Sequence, residues 1–374
     1  MSSQSGIKVI EETCRMKILI IANSSVGLVK FRRELIEKLQ EKHEVQIATL
    51  FENSTEELFN ICANIYELRL DRRSVSPMKN LDFLCQLNKL IRQVKPDYII
   101  TYTIKPNIYG GWLAKKYHIP YAVNVTGLGT CFQLGAAVSF FFASLYKIAL
   151  SKARVVFFEN TENYEVFREK HIIAKEQGCV LRGAGVNLEK FYFSKYPKSE
   201  DTKFLFVGRL MKEKGVDELL YAYKKLKQRY PNVGLTVLGG LEENYKDTME
   251  QMAKDYGVDY VGWTDDVRPY IEKCHCVVLP SYHEGMSNTL LEGAAMGRPL
   301  ITSNIHGCME AVIENESGFL AEPKNKDALL DAMAKFVELP YEKKKRMGLA
   351  SRRHMENNFA KEKVIEDTIS GLRL

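Results

Sequence analysis

The feature that most constrains the fold is a repeated alternation of short apolar segments with amphipathic ones. Residues 17–22 form a continuous apolar run, Lys-Ile-Leu-Ile-Ile-Ala, as expected for a parallel strand buried on both faces. The alternation predicts a doubly wound α/β fold with a parallel sheet. Further strands are predicted at 44–49, 65–70, 97–102, 121–125 and 154–158, with helices at 31–41, 80–94 and 107–117.

The same alternation begins again at Lys203, so the sequence predicts a second sheet. A chain of 374 residues is long enough for two domains with separate cores. Strands are predicted at 203–207, 234–238, 258–261, 275–279 and 299–302, and helices at 217–229, 243–256, 289–297 and 326–337. The predicted organisation is a leader at 1–15 that could be disordered, a Rossmann-like domain at 16–190, a linker around 187–202, a second Rossmann-like domain at 195–355, and a last helix within 360–374.

Composition excludes several classes of protein. Hydrophobic residues make up 45% of the chain and charged residues 27%, which is typical of a soluble globular protein. A run of eighteen apolar residues, as a membrane-spanning helix needs, is absent from the sequence. Residues 1–15 lack the apolar core of a signal peptide. We therefore expect a cytoplasmic protein.

The eight cysteines are scattered along the chain, which favours reduced thiols. Cys274-His275-Cys276 is the one cluster that could suggest a metal site. Its residues follow one another along a predicted strand, and a second pair of ligands does not follow nearby, whereas a structural zinc site usually needs four. We therefore expect neither a bound metal nor a cofactor.

Charge is divided unevenly between the two halves. Residues 1–200 contain 28 Lys and Arg against 20 Asp and Glu, whereas residues 201–374 contain 25 against 27. The first half is thus the better partner for an anionic membrane surface or an anionic acceptor. Nucleic acid is a weaker alternative, because the basic residues are dispersed and carry no recognition motif.

Two carboxylates stand where a parallel sheet usually binds its ligand. Glu284 follows the predicted strand 275–279, and ligands of open α/β sheets bind beyond the carboxyl ends of the strands. Residues 285–288 suit a turn, and Glu292 then lies about one turn inside the following helix. Both carboxylates can accept hydrogen bonds from hydroxyl groups, and the helix N-terminus can face an anion. A solvated loop acid beside an ordinary helix acid is the alternative.

A basic, glycine-flanked segment complements these acids. Gly208 ends the strand 203–207, and Arg209, Lys214 and Gly215 follow it. An arginine can donate two parallel hydrogen bonds to a phosphate, and a lysine adds a compact charge. Together with Glu284, these residues predict a pocket for a polyhydroxylated diphosphate such as a nucleotide-sugar; the alternative is a plain charged surface turn.

These two segments resemble those of glycosyltransferase family 4, the retaining nucleotide-sugar transferases of GT-B fold, and the resemblance extends over about residues 16–372. It implies two Rossmann-like domains facing a central cleft, with the last helix returning to the first domain. Arg209, Lys214 and Glu284 would be the catalytic residues. The implied donor-binding residues are Gly208, Arg209, Lys214, Gly239, Thr264, Val267, Glu284, Gly285, Met286, Ser287, Asn288, Thr289 and Glu292.

The first domain carries two polar loops after apolar strands, at 103–111 and 124–130. They resemble segments of bacterial transferases that extend undecaprenyl-diphosphate-linked sugars. The resemblance implies an acceptor site formed by Gly27, Lys105, Asn107, Asn124, Thr126 and Gly127. The basic loop that carries Arg72 and Arg73 could add contacts to headgroup or acceptor phosphates, or it could be a solvated charged loop. Many family members have a histidine after the second loop, where this chain has Thr130-Cys131-Phe132-Gln133; Asn124 or Thr126 could fill part of its role. The loop 23–28 contains one glycine, which argues against an NAD-binding fingerprint.

Residues 134–150 form the most apolar stretch, interrupted by Lys147. They could form a helix that dips into the membrane surface or a core helix of the first domain.

The sequence therefore predicts a peripheral enzyme on the inner face of the cell membrane. It would transfer a hexose or N-acetylhexosamine, without a metal, from a UDP-sugar to a polyprenyl-diphosphate-linked acceptor in the assembly of bacterial surface or glycoprotein glycans. A UDP-sugar epimerase of similar shape and a non-catalytic nucleotide-sugar-binding subunit are the alternatives.

Overall fold

The computed structural model describes residues 15–52, 55–71, 76–128, 135–199, 201–242 and 244–374. Almost all of the predicted leader lies outside these ranges, as do Arg72, Arg73 and the segment 130–133 that replaces the family's histidine loop. The chain forms two compact units. The first comprises Met1–Asn124 and Phe140–Val156, and the second comprises Val125–Ser139 and Phe157–Leu374.

The first sheet has seven strands within the described residues, in the order β3-β2-β1-β4-β5-β6-β7. The pairs β1–β2, β1–β4, β2–β3 and β4–β5 are parallel, as the alternation predicted. The strands are β1 (Lys17–Ile21), β2 (Glu44–Thr49), β3 (Ile65–Glu67), β4 (Tyr98–Tyr102), β5 (Tyr121–Val125), β6 (Val155–Phe158) and β7 (Gly178–Val180). The helices between them are α1 (Ser25–Gln40), α2 (Thr55–Ile61), α3 (Pro77–Val94), α4 (Gly111–Lys116), α5 (Ala136–Leu150) and α6 (Thr161–Glu169).

The second sheet has six strands within the described residues, in the order β10-β9-β8-β11-β12-β13. Its five strand pairs are all parallel. The strands are β8 (Thr202–Val207), β9 (Val233–Leu238), β10 (Asp259–Gly262), β11 (Cys276–Leu279), β12 (Leu300–Ser303) and β13 (Gly318–Ala321). The helices are α7 (Val216–Arg229), α8 (Lys246–Tyr256), α9 (Arg268–Lys273), α10 (Asn288–Ala295), α11 (Lys326–Glu338), α12 (Tyr341–Asn358) and α13 (Lys361–Leu372).

Two parallel sheets of this kind confirm the predicted α/β class with two Rossmann-like domains. In each sheet the strand order reverses at one place, between β1 and β4 in the first and between β8 and β11 in the second. At such a point the neighbouring connections run to opposite faces, which leaves a crevice beyond the carboxyl ends of the two central strands. This is where a ligand site is expected in each sheet.

The first helix begins earlier than predicted, at Ser25 instead of residue 31. Ser24 precedes it in an extended conformation, and its Oγ accepts a hydrogen bond from the backbone N–H of Gly27 at 3.1 Å. The same hydroxyl donates to the Glu52 carboxylate at 2.6 Å. Serine at this position satisfies a helix N–H group that would otherwise have no partner. Residues 25–27 therefore belong to a capped helix and not to the turn that the sequence suggested.

The apolar stretch 134–150 forms α5, which combines features of both alternatives. Tyr146, Ala149 and Leu150 are almost fully buried, as in a core helix. Phe140 and Phe141, however, are 75% and 57% exposed. Among the described residues, none of the helices is long and apolar enough to cross a membrane.

Candidate active site

Lys214 and Glu284 form an ion pair at the place where the strand order of the second sheet reverses. Lys214 follows β8 and Glu284 follows β11, and these two strands are neighbours. The distance from Lys214 Nζ to Glu284 Oε1 is 2.6 Å, and their side chains are 19% and 12% exposed. The Ser281 hydroxyl also donates to Glu284 Oε1, at 2.8 Å. The predicted cation and carboxylate thus meet in one partly buried site.

The turn that carries Lys214 is held by backbone and side-chain contacts with the Glu284 loop. Gly215 ends the turn with φ +69°, and a Cβ there would lie 2.1 Å from the Pro280 carbonyl oxygen, so only glycine allows this approach. The backbone N–H of Tyr282 donates to the Glu213 carbonyl at 2.8 Å. The Tyr282 hydroxyl donates to Glu218 at 2.8 Å. Burial is the main cause that raises the pKa of Tyr282, and the bond to the Glu218 carboxylate is the second cause.

Arg209 stands apart from this ion pair. Its side chain is 54% exposed, and its Nη1 lies 3.5 Å from Glu242 Oε1. The guanidinium is therefore accessible to a diphosphate, although the structure does not place it in contact with Lys214 or Glu284. Gly208 and Gly239 are packed directly against each other nearby. A Cβ on Gly239, which has φ +138°, would lie 1.8 Å from the Gly208 carbonyl oxygen.

The segment after Glu284 leads into α10 as predicted. Ser287 precedes the helix and Asn288 is its first residue. The Ser287 N–H donates to the Gly307 carbonyl at 2.8 Å, and the Thr289 hydroxyl donates to the Val207 carbonyl at 3.2 Å. Met286 is buried, whereas Glu292 lies in the helix and is half-buried. These bonds place the N-terminus of α10 beside the carboxyl end of β8.

Two further residues of the predicted donor site follow β10. The Thr264 hydroxyl donates to the Asp266 carbonyl at 3.2 Å, and Val267 immediately precedes α9. Beside them, Arg268 donates to both oxygens of the Asp266 carboxylate at 2.8 Å and lowers its pKa. The strands β10, β9, β8 and β11 are consecutive in the sheet. The predicted donor residues therefore all lie at the end of the sheet formed by the carboxyl ends of these strands.

Asn160 is a positioning residue that the sequence analysis missed. It is 2% exposed, and within the second unit its Nδ2 donates to the Gly285 carbonyl at 2.6 Å and to the Glu284 carbonyl at 3.2 Å. Its Oδ1 accepts from the Asn163 N–H at 2.8 Å, which caps α6. Because its partners lie about 125 residues away in the chain, a local sequence pattern could not have identified it.

Glu310 supports the same loop from the other side. One oxygen of its carboxylate accepts from the Gly307 N–H and the other lies beside His306 Nδ1, each at 2.7 Å. A Cβ on Gly307, which has φ +86°, would lie 2.5 Å from the Gly285 carbonyl oxygen. The Glu284–Ser287 backbone is therefore fixed by contacts on both sides before any ligand binds.

The predicted acceptor residues of the first unit lie at the reversal of its own sheet. Gly27 is in the first turn of α1, after β1, and Lys105 and Asn107 follow β4. Lys105 Nζ donates to the Asp71 carbonyl at 2.6 Å, and burial lowers its pKa. The buried Asn107 donates to the Asn124 carbonyl at 2.9 Å. Asn107 Oδ1 has no partner within the described part of the chain.

Asn124, Thr126 and Gly127 are placed by β5 and the residues after it. The Asn124 amide donates to the Thr101 carbonyl at 3.2 Å and is 5% exposed. Thr126 and Gly127 belong to the second unit, where the Thr126 carbonyl lies close to Gly285. Their role toward an acceptor remains a prediction.

The cluster Cys274-His275-Cys276 has the properties of a buried core segment. Cys274 and Cys276 are almost fully buried, and desolvation raises the pKa of Cys274 to about 12. In the described ranges no group of three or more His, Cys, Asp or Glu side chains is arranged to hold a metal ion.

Comparison with known proteins identifies the family to which this chain belongs. Residues 17–160 match the family model "Glycosyl transferase 4-like", and residues 189–354 match "Glycosyl transferases group 1". The two matches cover both sheets. The chain belongs to these glycosyltransferases, and it is an enzyme of that class.

Two curated relatives match over nearly the whole chain. N,N'-diacetylbacillosaminyl-diphospho-undecaprenol alpha-1,3-N-acetylgalactosaminyltransferase of Campylobacter jejuni is 27% identical, with 90% of this chain and 92% of the relative covered. The capsular polysaccharide biosynthesis glycosyltransferase CapM of Staphylococcus aureus is 24% identical, with 93% and 94% covered.

A solved structure of similar fold is HepE of Anabaena in complex with UDP and glucose. Its TM-score is 0.80 at 16% identity, with 96% of this chain and 100% of that chain covered. At this identity the likeness concerns the fold alone. The GT-B class expected from the sequence is confirmed by neighbours of this kind.

Proposed function

We propose that this glycosyltransferase uses a UDP-sugar and transfers its sugar, with retention of the anomeric configuration, to a polyprenyl-diphosphate-linked acceptor. The observation that carries the donor half of the proposal is the Lys214–Glu284 pair at the reversal of the second sheet. An ammonium and a carboxylate in one crevice match the two chemistries of a nucleotide-sugar, a diphosphate and a polyhydroxylated ring. The acceptor class is supported by the names of relatives such as that of Campylobacter jejuni.

In the proposed reaction, the bond between the anomeric carbon and the diphosphate oxygen breaks as negative charge grows on the leaving group. Lys214 and Arg209 stabilise that charge. The acceptor hydroxyl attacks from the same face and gives its proton to the departing phosphate oxygen, so neither a protein nucleophile nor a metal is required. Fixed donors at a developing anion typically contribute about 3–4 kcal/mol each to transition-state stabilisation.

Glu284 has a second role in the proposal. Its carboxylate accepts bonds from Lys214 and from Ser281. When the diphosphate attracts Lys214, the carboxylate gains capacity to accept bonds from sugar hydroxyls. Glu292, one turn inside α10, would bind the ribose hydroxyls.

We further propose that the protein associates with the inner face of the cell membrane through α5. Phe140, Phe141 and Ile148 are 54–75% exposed on this helix, and Lys147 is exposed among them. Lys115 Nζ donates to Ser151 Oγ at 3.0 Å, which brings the end of α4 beside the end of α5. Exposed aromatic residues beside lysines are suited to an anionic lipid surface, as in interfacial helices.

The experiment that tests the reaction is a transfer assay with a panel of UDP- and GDP-sugars, a polyprenyl-diphosphate-sugar acceptor and EDTA. We expect a glycosylated lipid product with one UDP-sugar despite the chelator. Transfer that requires an added divalent metal would contradict the metal-independent mechanism. Transfer only from GDP-sugars would contradict the assignment of a UDP-sugar as the donor. An isomerised sugar formed without any acceptor would support an epimerase instead.

A further inference from the structure

The second unit contains a cavity at the end of its sheet opposite to the candidate active site. The cavity has a volume of about 610 Å³ and is lined by Lys198, Ser199, Thr202, His275, Leu339, Tyr341 and Lys344. Thr202 is the first residue of β8, and His275 immediately precedes β11. The lining residues therefore lie at the amino ends of the strands whose carboxyl ends carry Lys214 and Glu284.

His275 supplies an unused hydrogen-bond donor at this cavity. The residue is 2% exposed, and its Nδ1 accepts a hydrogen bond from the backbone N–H of Lys203 at 3.1 Å. A neutral imidazole whose Nδ1 accepts must carry its proton on Nε2. The described residues provide no hydrogen-bond partner for Nε2. A buried donor without a partner destabilises the folded protein, so a ligand that reached Nε2 and accepted from it would remove that cost.

Lys344 places a positive charge beside this imidazole. Its side chain is 8% exposed, and Nζ donates to Thr202 Oγ1 at 3.1 Å and to the Val337 carbonyl at 2.9 Å. An ammonium group has three hydrogens, and these bonds use two of them. No carboxylate takes part in either bond, so among these partners the charge of Lys344 is compensated by neutral oxygens and by the Phe336 ring, whose centroid lies 5.4 Å from Nζ.

The surroundings of His275 are positive overall. Burial first, and then Lys344, Arg298 and Lys203, lower its pKa to about 4, against the opposing effect of Asp201 alone. The imidazole is therefore a neutral donor at physiological pH. Leu339 and Tyr341 provide apolar surface in the lining, and Lys198 and Ser199 are its exposed residues.

We propose that this cavity binds a small organic anion. Its phosphate or carboxylate head would accept hydrogen bonds from His275 Nε2 and Lys344, and its flat apolar body would lie on Leu339 and Tyr341. Lys198 would add a second positive charge at the opening. The site uses none of the residues proposed for sugar transfer, so its occupancy does not depend on that proposal.

The test is NMR of the histidine ring nitrogens in the full chain, with inorganic phosphate, benzoate and phenyl phosphate as probes. We expect saturable shifts of the His275 signals with phenyl phosphate, with benzoate, or with both. Comparison of these two probes shows whether the cavity prefers a phosphate or a carboxylate head group. The better aromatic probe should bind about tenfold more tightly than inorganic phosphate, because its ring adds apolar contact of roughly 1.4 kcal/mol.

Two variants connect the shifts to the cavity. Lys344→Met should abolish binding, and Lys198→Ala, which alters only an exposed residue, should weaken it several-fold. The neighbouring Lys343→Met is the matched control and should bind like the wild type. The proposal is overturned if none of the probes shifts the His275 NMR signals saturably. It is also overturned if Lys198→Ala and Lys344→Met bind the probes like the wild type. In either case an ordered water would satisfy Nε2. If Lys344→Met fails to fold, the Lys198→Ala comparison decides.

Discussion

At the scale of single residues, the candidate active site depends on an ammonium group that is both paired and accessible. Lys214 is held by the Glu284 carboxylate at 2.6 Å, yet both side chains keep some contact with solvent. Because both side chains are mostly buried, the cost of removing the two charges from water offsets much of their mutual attraction. In the proposed reaction, the donor diphosphate would find a charge that is already in position.

Lys214→Ala should lower kcat for sugar transfer by about 10²–10³, the loss typical when one donor to a developing anion is removed. The fold should persist, because the pair lies in a partly exposed crevice. Steady-state transfer assays together with circular dichroism measure both effects. Lys212→Ala, on the exposed side of the same turn, is the control; wild-type turnover in Lys214→Ala would refute the diphosphate assignment.

Two adjacent glycines provide a second test at this scale. Gly239→Ala should destabilise the protein by about 1–3 kcal/mol and weaken UDP binding, because its Cβ would meet the Gly208 carbonyl at 1.8 Å and φ is +138°. Gly240→Ala should behave like the wild type, since its Cβ would meet nothing within 4 Å in the described residues. Thermal unfolding and UDP titration of both variants distinguish them, and equal behaviour would mean that the close approach is unimportant.

Some of these residues were predictable and others were not, for a physical reason. Lys214 and Glu284 follow apolar strands, so the sequence placed them at one sheet edge. Asn160 acts on the Glu284 loop through a carbonyl about 125 residues along the chain, and Glu310 acts on it through Gly307, which is packed against the Gly285 carbonyl. A residue whose role is to bind a distant backbone carbonyl or N–H group leaves no local pattern in the sequence.

At the scale of elements, the buried strands were predicted best. The predicted bounds of β2 and β5 agree with the structure, and nearly all of their residues are buried in the parallel sheet. The short β7 and β13 were missed, as was the very polar α12. The basic sequence of α12 lacks the apolar stripe on which a helix prediction depends. Lys344 is one of the buried residues of α12, and its ammonium group is satisfied by hydrogen bonds.

The exposed aromatic end of α5 gives a prediction about an element. Replacing Phe140 and Phe141 with serine should release the protein from vesicles that contain anionic lipid and leave its melting temperature nearly unchanged, because both side chains are largely exposed. Co-sedimentation with vesicles and thermal unfolding measure the two effects. Phe59→Ser, which alters an exposed phenylalanine of α2, is the control.

If the double variant stays bound to vesicles and melts normally, α5 is not the membrane contact. If it unfolds, the two phenylalanines belong to the core of the first unit, which was the other interpretation of this segment.

At the scale of the whole molecule, stability should depend on pH through a buried histidine. Burial lowers the pKa of His275 from 6.5 to about 4, so between these values the unfolded chain binds more protons than the folded one. The contribution of His275 to the free energy of unfolding is therefore fully present above about pH 6.5, and it is lost as the pH falls toward 4. The difference amounts to roughly 3 kcal/mol.

His275→Gln should remove this part of the pH dependence. We expect the free energy of unfolding to fall less between pH 7 and about pH 4 in the variant than in the wild type, measured by denaturant titration in buffers that lack phosphate and carboxylate. The exposed His283, replaced in the same way, is the matched control. Parallel pH profiles for wild type and His275→Gln would show that the imidazole does not titrate in this range.

The pairing of β8 with β11 also has a consequence for how the protein folds. These two strands are separated in sequence by about 70 residues, and β9 and β10 must be formed on the far side of β8. The loop closed by this pairing is long, and long-range strand pairing is slow compared with local helix formation. The proposed nucleotide pocket therefore cannot exist in a nascent chain that ends before Glu284. During synthesis the first sheet can form early, while the second remains without its central strand until β11 has left the ribosome. Capacity to bind UDP would thus serve as a late marker of completed folding.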